Sequence, residues 1–172
     1  TFEGLIQHLF KEVRGVELDA EFPRMTYAEA MEKFGSDKPD IRFGMEFNDL
    51  TEKAQGKGFV VFDSVDAVLA INAEGCANYS RKQLDALTNW VKRPQIGARG
   101  LVYVKYNEDG TSKSSVDKFY SEEERKVWLD QCGAKPGDLL LLLCGDLDKT
   151  RKQLNELRLH MGTALGLRDP KV

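Results

Sequence analysis

The sequence is short of the residue types on which most recognisable chemistry is built. Histidine is nearly missing, with only His8 and His160 among 172 residues. The three cysteines, Cys76, Cys132 and Cys144, are odd in number, far apart and form no CxxC pair. That pattern argues against a structural zinc site and against a disulfide framework, and a reducing cytoplasm suits it. Charge of one sign is not in excess: 25 basic residues against 28 acidic leave a net charge of −3. This is not the balance of a stand-alone nucleic-acid binder, so any RNA contact would have to be a local patch. Long apolar runs are missing as well. The longest, Leu139–Cys144, falls far short of the roughly 20 residues that cross a bilayer. There is no signal peptide, no phosphate loop of the GxxxxGK[ST] type, no strand-linked GxGxxG, no fixed repeat and no low-complexity tract. The chain opens at Thr1, without Met, in what already reads as a helix, which suggests a piece of a larger protein.

What is present is an alternation of short helices and strands. Ala98–Tyr106 has a glycine pivot followed by period-2 alternation, with Leu101, Tyr103 and Lys105 on one face and Val102, Val104 and Tyr106 on the other; β-branched and aromatic residues at that period predict a strand, taken as the central one. Gly58–Ser64, Val65–Asn72 and Asp138–Cys144 are expected to be its sheet partners, the first two as a hairpin, and Val116–Tyr120 a short strand pairing back. The unbroken apolar run after Asp138 requires cover on both faces.

Helices are marked by their starts and stops. Thr26-x-x-Glu29 and Ser80-x-x-Gln83 are capping boxes. Ser121 precedes three glutamates in a first turn, which suits the helix dipole, with Val127, Trp128 and Leu129 expected to pack that helix. Leu147, Thr150, Leu154, Leu157, Met161 and Leu165 follow helical spacing, and Gly166 stops them. Thr1–Arg14 carries Phe2, Leu5, Ile6, Leu9, Phe10 and Val13 in a broad apolar stripe, which predicts self-association or docking onto the rest of the chain. The expected organisation is residues 1–44 as helices and a loop without a sheet, 45–166 as a body that closes its own core, and 167–172 as the start of an outgoing segment. The fold class is α+β, with a mostly antiparallel sheet covered by helices in a two-layer sandwich and extra helices at the N-terminus.

No nucleophile–base pair is visible. His8 and His160 read as surface or satisfied helix residues, Cys144 as core, and metal sites look missing. Two places stand out. Gly35-Ser36-Asp37-Lys38-Pro39-Asp40-Ile41-Arg42 is a polar surface loop whose mixed charges, Asp37 and Lys38 among them, bind a ligand or hold the loop by local hydrogen bonds. Arg81 and Lys82 put two cations in the first turn of a helix, where the dipole is already positive. Either a neighbouring carboxylate balances them, or an anionic partner such as RNA phosphate meets them with the free backbone N–H groups; Arg93 and Arg99 could extend that patch.

Phe22-Pro23-Arg24-Met25-Thr26-Tyr27-Ala28-Glu29-Ala30-Met31, followed by Gly35-Ser36-Asp37-Lys38-Pro39-Asp40-Ile41-Arg42-Phe43-Gly44-Met45-Glu46, resembles the bacterial aspartyl-tRNA synthetase family, where such a segment leads out of the class II catalytic core just after motif 2. Ser80-Arg81-Lys82-Gln83-Leu84-Asp85, Gly97-Ala98-Arg99-Gly100-Leu101, Val116-Asp117-Lys118-Phe119, Pro136-Gly137-Asp138-Leu139 and Ala164-Leu165-Gly166-Leu167 resemble that family's insertion, the GAD domain. Leu157–Gly162 fits the helix that returns to the catalytic core. The resemblance implies a DCoH-like two-layer α+β insertion in a cytoplasmic, homodimeric parent that uses ATP and Mg²⁺ to attach aspartate to its tRNA, with the remainder of the synthetase and tRNA as partners and no membrane. The anticodon-binding domain and motifs 1, 2 and 3 have no counterparts here. The resemblance therefore assigns no catalytic, cofactor or metal residue to this chain, only Arg81, Lys82, Arg99, Asp37 and Lys38 as tRNA or loop contacts. A related insertion occurs in a subunit of the archaeal tRNA-dependent amidotransferase, which is the alternative parent.

Overall fold

The computed structural model describes residues 2–18 and 22–169. Thr1, predicted to open the first helix, and the end of the outgoing segment, 170–172, lie outside them. Five strands form one antiparallel sheet: β1 (Asn48–Asp49), β2 (Ala67–Ala73), β3 (Val102–Tyr106), β4 (Ser112–Ser114) and β5 (Leu139–Gly145), in the spatial order β1-β2-β5-β3-β4. The strand furthest along the chain is thus the middle one. β5 pairs along its length with β2, from Ala67 opposite Gly145 to Ala73 opposite Leu139, and on its other edge with β3, from Val102 opposite Leu142 to Lys105 opposite Leu139.

Alternation along β5 builds two cores. Leu139, Leu141 and Leu143 meet Leu84, Leu87 and Val91 of α5 (Arg81–Val91) and Leu154, Leu157 and Met161 of α7 (Leu147–Ala164) on one face. Leu140 and Leu142 meet Trp128 and Leu129 of α6 (Glu122–Gln131) on the other. Two short helices also serve that second core, through Ala54 of α3 (Thr51–Ala54) and Phe62 of α4 (Val60–Asp63). The fold is α+β, an open antiparallel sheet covered by helices. Both faces of the Leu run are covered, as its composition required.

Local signals placed the helix starts. Both expected capping boxes form, the Thr26 and Ser80 hydroxyls accepting from Glu29 N and Gln83 N, and Ser121 makes a third with Glu124 N. Each N3 side chain reaches back to its cap N–H, which satisfies two otherwise unpaired donors per helix.

Three expectations about the strands fail for physical reasons. Gly58–Ser64 is not a strand. It holds helix α4, with Val60 and Val61 turned to solvent and Phe62 buried against Tyr120 and Trp128. A short apolar run has no period long enough to separate strand from helix; here Gln55 Nε2 donates to the carbonyls of Phe62 and Val65, and the Asp63 carboxylate accepts from Gly56 N and Gly58 N, which folds the run back on itself. Second, Val116–Tyr120 is a turn. The strand that pairs back on β3 is the more polar Ser112–Ser114, and Val116 and Tyr120 drop into the second core. Third, β3 begins at Val102 rather than Ala98 and lies beside the middle strand; the faces of its residues are as expected, Tyr103 packing on the first core and Val104 and Tyr106 in the second. Val127 is likewise exposed, unlike Trp128 and Leu129.

The N-terminal helix α1 (Phe2–Leu9) runs into a π-helical turn, Phe10–Arg14, and buries none of its residues. Its apolar stripe does not dock onto the described body: Phe2, Leu5, Ile6, Leu9, Phe10 and Val13 are all exposed. The next helix, α2 (Tyr27–Phe34), behaves differently. It buries Ala30 and Phe34 and packs on α7.

Candidate functional site

The most tightly built polar feature is the seat of the polar loop, and its anchor is Arg158. This residue sits in the apolar stripe of α7, four positions after Leu154, with no solvent exposure. Its Nε donates to the Gly44 and Met45 carbonyls at 3.1 and 3.2 Å, and its Nη2 to the Asp40, Phe43 and Gly44 carbonyls at 2.8, 2.9 and 2.8 Å. The guanidinium carbon lies 4.7 Å from the Phe34 ring centroid and 4.1 Å from that of Phe43, in cation–π range of both. Only carbonyl dipoles and ring faces surround this charge at close range, so burial pulls its pKa down to about 10, against the partial support of Asp40 and Glu46.

The loop above it is held by its own charges. The Asp40 carboxylate accepts from Arg42 Nε and Nη2 at 2.9 and 2.8 Å and lies 3.5 Å from Arg168 Nη1 of the outgoing segment. The hydrogen bond from Arg42 is the main reason the Asp40 pKa falls to about 2. Ser36 Oγ accepts from Lys38 N. The loop's local hydrogen bonds do form, and the loop is not merely superficial, since Gly35 is buried and the Asp40 carbonyl helps to roof an arginine.

Two clefts flank α7. The larger, about 670 Å³, lies between α2 with its loop and α7, and is lined by Tyr27, Met31, Asp37, Gln95, Lys152 and Glu156 among others. The smaller, about 300 Å³, includes Asp66, Arg99, Asp146 and Thr150. Lys149 and Gln153 line both. Asp37 and Arg99 thus come to adjoining clefts of mixed charge, next to exposed Lys38. Arg81 and Lys82 do not join them. They stand exposed at the start of α5, whereas Arg93 and Arg99 lie beyond its other end, and eleven helical residues span roughly 16 Å. Arg81 Nε lies 3.9 Å from Asp85 Oδ2, the neighbouring carboxylate that the simpler explanation asks for.

His160 and the three cysteines are packed into the body, while His8 is exposed on α1. His160 stacks on Trp90 at 4.3 Å, and its pKa is lowered by burial and by Arg93. Burial raises the thiol pKa of Cys76, Cys144 and Cys132, the last to about 12, so none is a thiolate near neutrality. Among the described residues no three His, Cys, Asp or Glu side chains converge as metal ligands. Arg158 was missed in the sequence. Its signal was there, a cation at a stripe position of α7, but nothing local says which carbonyls it meets.

Fold and site together define a helix-covered antiparallel sheet whose incoming loop is locked by an arginine. The GAD domain model matches residues 61–158, and the chain belongs to the GAD domain family. It is 60% identical over 170 residues to the aspartate–tRNA ligase of Bacteroides thetaiotaomicron, 57% over 169 to that of Flavobacterium psychrophilum and 55% over 170 to that of Porphyromonas gingivalis, each alignment covering 98% of this chain and 29% of the relative. The chain therefore spans under a third of the length of these relatives. No helix among the described residues is long and apolar enough to cross a membrane.

Proposed function

We propose that this chain is the insertion body, with its lead-in, of a bacterial-type aspartate–tRNA ligase. The parent activates aspartate with ATP and Mg²⁺, transfers it to the tRNA and works as a cytoplasmic homodimer; the 172 residues contribute no bond-making group. The reading rests on one observation: high identity runs through 98% of the chain, past residues 61–158 into both flanks. A GAD body alone is compatible with an amidotransferase subunit, whereas the flanking loop at 35–42 and the relatives' names favour the ligase. The domain boundaries follow from it: residues 1–44 as a piece of the catalytic domain, 45–166 as the insertion and 167–172 as the start of the return. Arg81, Lys82, Arg99, Asp37 and Lys38 are the residues offered to tRNA or to the loop's own support.

The test is aspartate-dependent ATP–pyrophosphate exchange. The longer protein that contains this chain is expected to show it, and the chain alone to show none. Exchange by the chain alone overturns the claim that it lacks chemistry, and no exchange by the longer protein overturns the ligase assignment.

A further inference from the structure

We propose that Arg158 is a positioning residue that fastens the lead-in to the sheet-bearing body, so that residues 26–169 move as one piece across the boundary near residue 44. The proposal rests on the reading that the chain is part of a longer protein. Sequence composition places a boundary near residue 44, and the family match begins only at residue 61. The contacts ignore both limits.

Arg158 spans both. Its five hydrogen bonds reach four carbonyls between Asp40 and Met45, and its planar fork lies between Phe34 of α2 and Phe43 of the loop. A charge removed from water is tolerated only while its partners stay in place. Peeling the loop away would give up all five bonds and both ring contacts together, since every one of these partners belongs to the lead-in, so the fastening is close to all-or-none. Nη1 already has no hydrogen-bond partner, which leaves little further loss to be absorbed.

Contacts that do not involve Arg158 agree. A Cβ on Gly35, at the end of α2, would fall 2.3 Å from the Arg151 carbonyl oxygen of α7, and one on Gly162 would fall 2.6 Å from the Phe43 ring. Backbone and ring are seated directly on α7 at both points. Phe47 N donates to the Lys33 carbonyl at 2.8 Å, tying the segment before β1 to α2. Asp40 holds Arg42 beside it and Arg168 from the outgoing segment, so both connections of the body are knotted at one place. Upstream the picture changes. α1 buries nothing, and an exposed Arg24–Glu3 pair links it to the segment before α2.

The experiment is residual dipolar coupling on the 172-residue chain, with amide exchange alongside. In the natural sequence the N–H couplings of α2 and of β5 are expected to fit a single alignment tensor, with the Phe47 amide protected. Arg158→Met is expected to separate the two tensors and to speed Phe47 exchange by at least about tenfold, while Leu140–Leu142 keep their protection. Separate tensors in the natural sequence overturn the proposal, and so does a Phe47 amide that stays protected in the variant. Should Arg158→Met not fold, Arg158→Lys is read the same way. An ammonium on a flexible stem does not reproduce a planar fork across four carbonyls, so full protection of Phe47 in that variant overturns the proposal too. Loss of ligase activity in the longer protein would not touch any of these readouts.

Discussion

Asp40 and Gly35 are small parts of the loop, yet each has a sharp expected phenotype. Gly35 has φ of +67° as the C-cap of α2, and any side chain there points at the Arg151 carbonyl. Gly35→Ala combines left-handed backbone strain with a backbone clash, and a loss of more than about 2 kcal/mol is expected in urea denaturation. Gly166, with φ of +68° but open space around its Cβ position, has the strain without the clash, so Gly166→Ala should cost less. For Asp40 the effect is one of pH. Its folded pKa, about 2, lies below the ordinary 3.8 because Arg42, then Arg168, favour the carboxylate. A depressed folded pKa gives stability that is complete above the unfolded value and is lost as pH falls through the folded one. Stability should therefore decline between pH 3.8 and pH 2, and Asp40→Asn should remove that share of the decline in an acid titration followed by circular dichroism.

At the scale of elements, the helix starts are carried by a few adjacent residues. Ser80→Ala removes the acceptor for Gln83 N and the return bond geometry at the head of α5; the expected loss is about 1 kcal/mol, measured as a shift of the urea midpoint at unchanged slope. The same locality explains what could be read without coordinates. Thr26–Glu29, Ser80–Gln83 and the acidic turn after Ser121 hold their information within four residues, so these helices were legible. The unbroken run of β5 announced its double burial. The fate of Phe59–Phe62 was not legible, because strand or helix there was decided by Gln55 and Asp63 reaching across a loop, and by an aromatic pocket of Tyr120 and Trp128 far away in sequence. Of the site, the loop at 35–42 was visible as a surface segment with its own hydrogen bonds. Its anchor was not, since a single arginine in a helical stripe looks the same whether it snorkels to water or turns inward.

For the molecule as a whole, charge is distributed in separate places. Arg81 and Lys82 occupy one end of α5, and Arg99 with Lys149 the clefts at the other. If RNA phosphates meet the α5 start, alanine at both Arg81 and Lys82 should lower the slope of log affinity against log salt by about 2 in tRNA binding by the longer protein; an unchanged slope leaves only the Asp85 pairing to explain them. The sheet order has a consequence of its own. β5 joins β2 to β3, and of the sheet's five described strands it is the last to be synthesised. On a ribosome, the first four strands emerge with no centre to gather on, and neither leucine-lined face can close until residues 139–145 have cleared the exit tunnel. Late completion of this kind favours slow, concerted collapse and leaves the half-made chain in need of protection by other proteins while it waits.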